Sequence, residues 1–309
     1  MKAVRIHEYG GPEALKYEEA PRPDPGQSEV LVRVHAAGVN PIDWKIREGY
    51  LKQFVPLQLP FVPGLDVSGT VEQIGADSRG FAVGDAVYAR TNMMRDGAYA
   101  EFVVIAASDL AKKPASLDHV HSAAVPVAAL TAWEALFAES AMNLSAGQTV
   151  LIHGGAGGVG SLAVQLAKWR GAKVIATGSA NNQTFLQQLG AEVVIDYGQQ
   201  RFEEIARNVD GVLDAIGGET QTRSWTTLKR GGVLVSLLGP PASAEAEAHG
   251  VKGVTVMMSP NRLDQIARLI DEGHLKITVS KIVPLSQARK AQDLSQAGHV
   301  RGKVVLQVV

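Results

Sequence analysis

Across the first 121 residues the apolar positions come in short, valine-rich runs set apart by glycine and proline. Val30-Leu31-Val32-Arg33-Val34 and Val67-Ser68-Gly69-Thr70-Val71 read as strands, and Gly75, Gly80 with Phe81, and Gly84 with Asp85 mark turns between them. That spacing predicts a compact β-rich domain. From Ala123 to about Gly253 the period changes. Apolar strands at 149–153, 173–177, 193–196, 212–214 and 233–237 alternate with helical patterns. Such alternation predicts βαβ units around a parallel sheet. Helices at about 261–272 and 285–295 and a closing strand at 303–309 complete the chain. No internal repeat is visible. The one biased segment, Ala242 to Ala248 after Gly239-Pro240-Pro241, reads equally well as a surface helix or a mobile loop.

The first βαβ unit carries the sharpest motif. His153-Gly154-Gly155-Ala156-Gly157-Gly158-Val159-Gly160 contains G-x-G-x-x-G at Gly155, Gly157 and Gly160, after a strand and at the opening of a helix at 159–170. A dinucleotide site requires this context: glycine permits the tight turn and the close approach of backbone to a pyrophosphate, and helix-start N–H groups hold the phosphates. The fold class is therefore α/β, with a Rossmann doubly wound parallel sheet beside the β-rich domain.

The second strand of such a unit sets the choice of dinucleotide. An NAD-selective site ends it with an acid that bonds the ribose 2′-hydroxyl. Here Val174-Ile175-Ala176-Thr177-Gly178 runs into Ser179-Ala180-Asn181-Asn182, with no Asp or Glu as far as Gln188. Hydroxyl and amide donors at that place suit the 2′-phosphate of NADPH, although no Lys or Arg lies between Gly178 and Leu189.

Composition removes several other classes of function. The chain of 309 residues is 46% apolar and 20% charged, enough to fill two cores, and its net charge of −1 shows no basic stripe of the kind nucleic acid attracts. The absence of cysteine excludes disulfides, thiolate zinc sites, iron–sulfur clusters and cysteine nucleophiles. The stretch from Ala123 to Trp133 is too short to span a bilayer and is broken by Pro126 and Thr131, and the opening residues lack a signal-peptide core. A cytoplasmic enzyme with no membrane or nucleic-acid partner is expected.

Taken together, several motifs make the chain resemble the zinc-free quinone oxidoreductase (ζ-crystallin-like) branch of the medium-chain dehydrogenase/reductase superfamily. They are Tyr9-Gly10-Gly11-Pro12-Glu13, Ala37-Gly38-Val39-Asn40-Pro41-Ile42-Asp43-Trp44, Pro63-Gly64-Leu65-Asp66, Gly97-Ala98-Tyr99-Ala100-Glu101, the glycine loop and Arg301-Gly302-Lys303-Val304-Val305-Leu306. The resemblance implies a GroES-like catalytic domain formed by residues 1–121 and 262–309, a Rossmann NADPH-binding domain at 122–261, and an active site in the cleft between them. It also implies a homodimer, for which Val254 to Met258 is a candidate edge strand.

Zinc dehydrogenases of the same superfamily place their three catalytic ligands where this chain aligns Asn40, Leu65 and Val127. Asp66 alone does not make the usual three-ligand site, and His119 and His121, which would share one strand face, are too few to replace it. The resemblance places Gly157, Gly158 and Val159 on the pyrophosphate, Thr131 near the nicotinamide, and Ser179, Asn181 and Tyr197 about the 2′-phosphate. Leu237, Leu238 and Gly239 would border the nicotinamide, with Asn40 reaching it or the substrate from the β domain.

Hydride transfer to a quinone or an α,β-unsaturated carbonyl compound needs a donor to the developing oxyanion. Asn40 and Tyr50 are the candidates, with Arg47 behind them and Trp44, Tyr88 and Asn92 as pocket wall. Reduction of 2-alkenals or enoyl thioesters on the same fold, and a non-catalytic NADPH-sensing protein, are the alternatives. RNA binding is disfavoured by the neutral charge.

Overall fold

The computed structural model describes residues 1–54, 56–256 and 262–309. The chain divides into two units, one gathering Met1–Val127, Pro260–Glu272 and Ile277–Val309, the other Ala128–Ser259 and Gly273–Lys276. None of the described helices is long and apolar enough to cross a membrane.

The first unit is built around one long strand, Glu29–Val39, whose burial is almost continuous. One of its edges pairs with Asp66–Ile74. The other is divided: Glu29 to Arg33 pair with Phe102–Ala106, and Ala36 to Val39 pair with the closing strand Lys303–Gln307. Register shifts at Leu31/Val32 and Val34/Ala36 mark the irregularities that bend such a strand. Antiparallel pairing to residues 36–39 draws the end of the chain into the first unit. Val279–Pro284 then adds a parallel strand outside it, with Ile282 half exposed. Valine and alanine side chains from these strands, joined by Tyr99, Leu285 and Leu306, form the core.

The second unit is a six-stranded, wholly parallel sheet. Its spatial order is Val193–Asp196, Lys173–Gly178, Thr149–Ile152, Val209–Asp214, Leu228–Ser236 and Lys252–Thr255. The order reverses direction between Thr149–Ile152 and Val209–Asp214, and in open α/β sheets ligands bind beyond the carboxyl ends of strands at such a reversal. The centre is apolar on both faces, as a sheet covered by helices requires, with Leu151, Ile195, Val212, Trp225 and Leu234 buried together.

Several expectations need adjusting. His119 and His121 lie on the short helix His119–Ala123, capped by the Asp118 carboxylate on the His121 N–H, so they share no strand face. The segment after Pro241 is a helix, Ser243–His249, closed by Gly250 in the left-handed conformation. The edge strand proves to be Lys252–Thr255; Met257 and Met258 lie outside the described residues.

Candidate active site

The strand Thr149–Ile152 delivers the chain to His153 and then into the glycine loop. Gly154 takes a φ of +65°, a region that costs glycine little. Gly155 donates to Thr177 O (3.0 Å) and Gly157 to Gly154 O (3.0 Å), which fold the loop back on the sheet. The helix Gly158–Trp169 starts there, and its N-cap is Gly157, which has no side chain to satisfy the first-turn N–H groups. Gly158, Val159 and Gly160 therefore offer backbone donors at the positive end of a helix, a ready anion site. Gly160 packs so tightly that a Cβ would stand 2.2 Å from Gly154 O. Glycine is fixed at this place by space, as the fingerprint's third glycine is by helix–strand packing.

Beside the loop, Lys173–Gly178 ends at Ser179, whose hydroxyl accepts a hydrogen bond from Asn182 Nδ2 (3.0 Å) and keeps its own proton to donate. Asn181 is exposed in the turn Ala180–Asn182. The neighbouring strand brings Tyr197 to the same end of the sheet, its N–H donating to Gly178 O (3.2 Å) and its side chain 54% exposed. Ser179, Asn181 and Tyr197 are thus close in the fold.

Across the reversal, Asp214 ends its strand with Oδ1 accepting the N–H groups of Ile216 and Gly217, both at 2.9 Å, and Oδ2 accepting from Gln221. Leu237, Leu238 and Gly239 follow the next strand; Leu237 N–H donates to Asp214 O, and Leu238 N–H to Ser236 Oγ. Leu238 and Ile216 are both about half exposed, two apolar side chains at this end of the sheet. Thr131 sits on the helix Pro126–Phe137 and is half-buried.

In the first unit Asn40 is the N-cap of the helix Pro41–Arg47. Its backbone N–H donates to Asp43 Oδ2 (2.8 Å), which also accepts from the Tyr99 hydroxyl (3.0 Å). Full burial pushes Asp43 up to about 7, against the pull of these hydrogen bonds and of Lys303. The Asn40 side chain is buried with Asp66 and Lys303. Nδ2 donates to Asp66 Oδ2 (2.8 Å), while Lys303 Nζ donates to Asn40 Oδ1 (2.5 Å) and Asp66 Oδ2 (3.0 Å). Asp66 Oδ1 accepts the N–H of Val127 (2.7 Å), so Asn40 and Val127 are joined through one carboxylate.

Tyr50, just beyond the same helix, is 66% exposed and meets Trp44 edge-on, with ring centroids 6.0 Å apart. Arg47 is a structural group: its fully buried guanidinium binds Gly10 O, Gln292 Oε1, Gln296 Oε1 and Glu48, tying this helix to Ala288–Ala297. Tyr88 is no pocket wall either, since it is fully buried and donates to Leu263 O (2.6 Å). Asn92 is exposed, and its Oδ1 accepts the Met94 N–H in a turn.

Sequence reasoning passed over Lys303, His153, Thr177 and Asp214. The signal for Lys303 is its place at the head of the apolar run Val304-Val305-Leu306, where a strand entering the core carries a lysine that must be paired.

Comparison with known proteins bears on the family of the chain. The alcohol dehydrogenase GroES-like domain family matches residues 26–115, and the zinc-binding dehydrogenase family matches residues 189–306. The human mitochondrial NAD(P)H oxidoreductase RTN4IP1 is 34% identical, with 100% of this chain and 89% of that protein covered. The 2-methylene-furan-3-one reductase of Solanum lycopersicum is 35% identical over 99% of this chain and 79% of its own length. The Escherichia coli quinone oxidoreductase solved in complex with NADPH superimposes with a TM-score of 0.88 at 27% identity, covering 100% of both chains. The chain belongs to the medium-chain dehydrogenase/reductase superfamily of oxidoreductases. Within it, the chain is a member of the quinone oxidoreductase branch.

Proposed function

We propose that this protein is a metal-independent, NADPH-dependent reductase that passes hydride to a quinone or an α,β-unsaturated carbonyl compound. The observation that carries the reading is the uncapped helix start at Gly157, framed by the sterically required Gly160 and followed, one strand over, by Ser179 in place of an acid. Backbone N–H groups of Gly158, Val159 and Gly160 hold the pyrophosphate, and Ser179, Asn181 and Tyr197 hold the 2′-phosphate. When bound, NADPH supplies the hydride. Leu237, Leu238 and Gly239 present an apolar border to the nicotinamide. Asn40 donates to the carbonyl oxygen on which charge develops, and water delivers the balancing proton.

Metal independence is supported by the side chains at the three zinc-ligand positions, where an asparagine already bound to an ammonium, a leucine and a valine offer neither thiolate nor imidazole. Among the described residues no cluster of three His, Cys, Asp or Glu forms elsewhere. Chelators should leave turnover unchanged, and one tightly held zinc per active chain would contradict the reading.

The similarity to an enone reductase makes α,β-unsaturated ketones the second substrate class to weigh against quinones. NADPH oxidation over a panel of quinones, enones, 2-alkenals and enoyl thioesters, with product analysis, tests the proposal and separates these classes. Binding of NADPH without turnover on any of them would instead make the chain a sensing protein.

A further inference from the structure

An asparagine amide has one end that only accepts and one that only donates, so its use toward a ligand depends on which way it faces. At Asn40 both ends are assigned. The oxygen meets Lys303 Nζ, which only donates, and the nitrogen meets Asp66 Oδ2 at 2.8 Å. Turning the amide over would set N–H against an ammonium and oxygen against a carboxylate, two repulsive contacts in place of two attractive ones. The locking groups are themselves paired at 3.0 Å, with side chains 7% and 0% exposed, where solvent screening is weak. Asp66 is prevented from rotating away by the Val127 N–H on its other oxygen, and the Asn40 backbone is pinned by Asp43. These bonds use the amide oxygen and one Nδ2 hydrogen, leaving the second Nδ2 hydrogen.

We propose that Lys303 and Asp66 are positioning residues that hold Asn40 as a donor-only group toward the substrate, so that the site selects an acceptor atom such as a carbonyl oxygen. This rests on the assignment of Asn40 to the substrate. Lys303 acts through Asn40, and its removal has no separate effect once the amide is gone.

A double-mutant cycle on the holoenzyme at saturating NADPH tests this, because effects transmitted through one group do not add. With a quinone substrate, Asn40→Ala should lower kcat by roughly tenfold, the scale of one lost hydrogen bond that forms in the transition state. Lys303→Met should lower kcat by a similar factor, and the double variant should be no slower than Asn40→Ala alone. Lys303→Arg, which restores the cation, should recover most of the turnover. Lys303→Met strands the Asp66 charge, so Lys303→Met with Asp66→Asn, which removes both charges, is measured beside it and should show the same loss. The positioning role is overturned if Lys303→Met and the paired variant keep parental kcat, or if Lys303→Met exerts its full factor again in the Asn40→Ala background. Parental turnover in Asn40→Ala overturns the prior assignment of Asn40 and the lock with it.

Discussion

Thr177 Oγ lies 3.2 Å from His153 Nδ1 and 3.3 Å from the backbone nitrogen of Gly154, tying the second strand of the sheet to the entry of the glycine loop. On its far side His153 Nε2 meets Ser224 Oγ at 2.9 Å, and Ser224 gives its own proton to Thr220 O at 2.6 Å. Ser224 must therefore accept from His153, which fixes the ring as the Nε2–H tautomer, with Nδ1 accepting from Thr177. The neutral ring is a spacer that holds the loop in register.

Burial pushes His153 down from 6.5 to about 4, with nearby Asp214 raising and Arg223 lowering it to smaller extents. An unfolded chain takes up this proton first. The stability tied to the neutral ring is complete above about pH 6.5 and is lost as pH falls through the window towards 4, by at most about 3 kcal/mol. Nitrogen NMR of the imidazole should show a titration midpoint near 4 and the Nε2–H form at neutral pH. A midpoint near 6.5 would mean that the ring is not held in this way.

What could be read in advance follows what periodicity and glycine report. The strands at 173–178 and 193–196 are short apolar runs beside glycines, and they form where the pattern placed them. Val279–Pro284 left no such trace, because Ser280, Lys281 and Ile282 face solvent and the strand is held by backbone pairing to Lys303–Gln307. The phosphate loop was legible since its chemistry is backbone chemistry confined to one segment. Asn40 was legible as a candidate, but its orientation depends on Asp66 and Lys303, 26 and 263 residues away in sequence. Long-range side-chain pairing has no period to detect. The same is true of Arg47, expected behind Asn40 and Tyr50, whose guanidinium is bound by Gln292, 245 residues away in sequence.

Replacing Gly160 by alanine should damage cofactor binding before it damages the fold. The added methyl would stand 2.2 Å from Gly154 O, a backbone atom inside the turn, so helix and loop must part. Overpacking of this kind costs about 1–3 kcal/mol. Thermal melts should show a loss on that scale, and titration of NADPH by its fluorescence should show affinity falling at least about tenfold as the donor cradle widens. Unchanged affinity would separate the loop from the phosphates.

Tyr50→Phe isolates one hydroxyl on an exposed ring already packed edge-on against Trp44. Phenylalanine preserves that contact, so the fold and NADPH affinity should be unaffected. A hydrogen bond made mainly in the transition state lowers kcat and kcat/KM together, here by roughly fivefold to tenfold. Parental rates on every active substrate would reduce Tyr50 to packing.

The strand Lys252–Thr255 pairs with Leu228–Ser236 on one side and is the outer strand of the described parallel sheet. An edge of unpaired backbone invites a second strand, and the proposal is that another copy of this chain supplies it. Light scattering at micromolar concentration should return a dimer mass, and Thr255→Pro should shift it towards the monomer, because the strand register turns the Val254 N–H inward to Leu228–Ser236 and the Thr255 N–H to the outer edge. A monomer mass for the parent protein would rule this pairing out.

Preference for NADPH over NADH rests on charge at the end of Lys173–Gly178. An acid there would repel the 2′-phosphate, and the chain has Ser179 instead. Because Ser179 Oγ already accepts from Asn182, its proton points elsewhere and is free to be donated to a phosphate oxygen. Tyr197, brought alongside by the neighbouring strand, adds an exposed phenol. Hydrogen bonds to a charged acceptor contribute roughly 1.5–3 kcal/mol each, so two of them amount to at least a hundredfold before desolvation and the absence of a nearby Lys or Arg reduce it. Ser179→Asp replaces a donor by a negative charge. It should raise KM for NADPH by about two orders of magnitude while changing KM for NADH only a few-fold, since the ribose 2′-hydroxyl can donate to the new carboxylate. Equal kcat/KM for the two cofactors in the parent protein would show that these side chains do not read the phosphate.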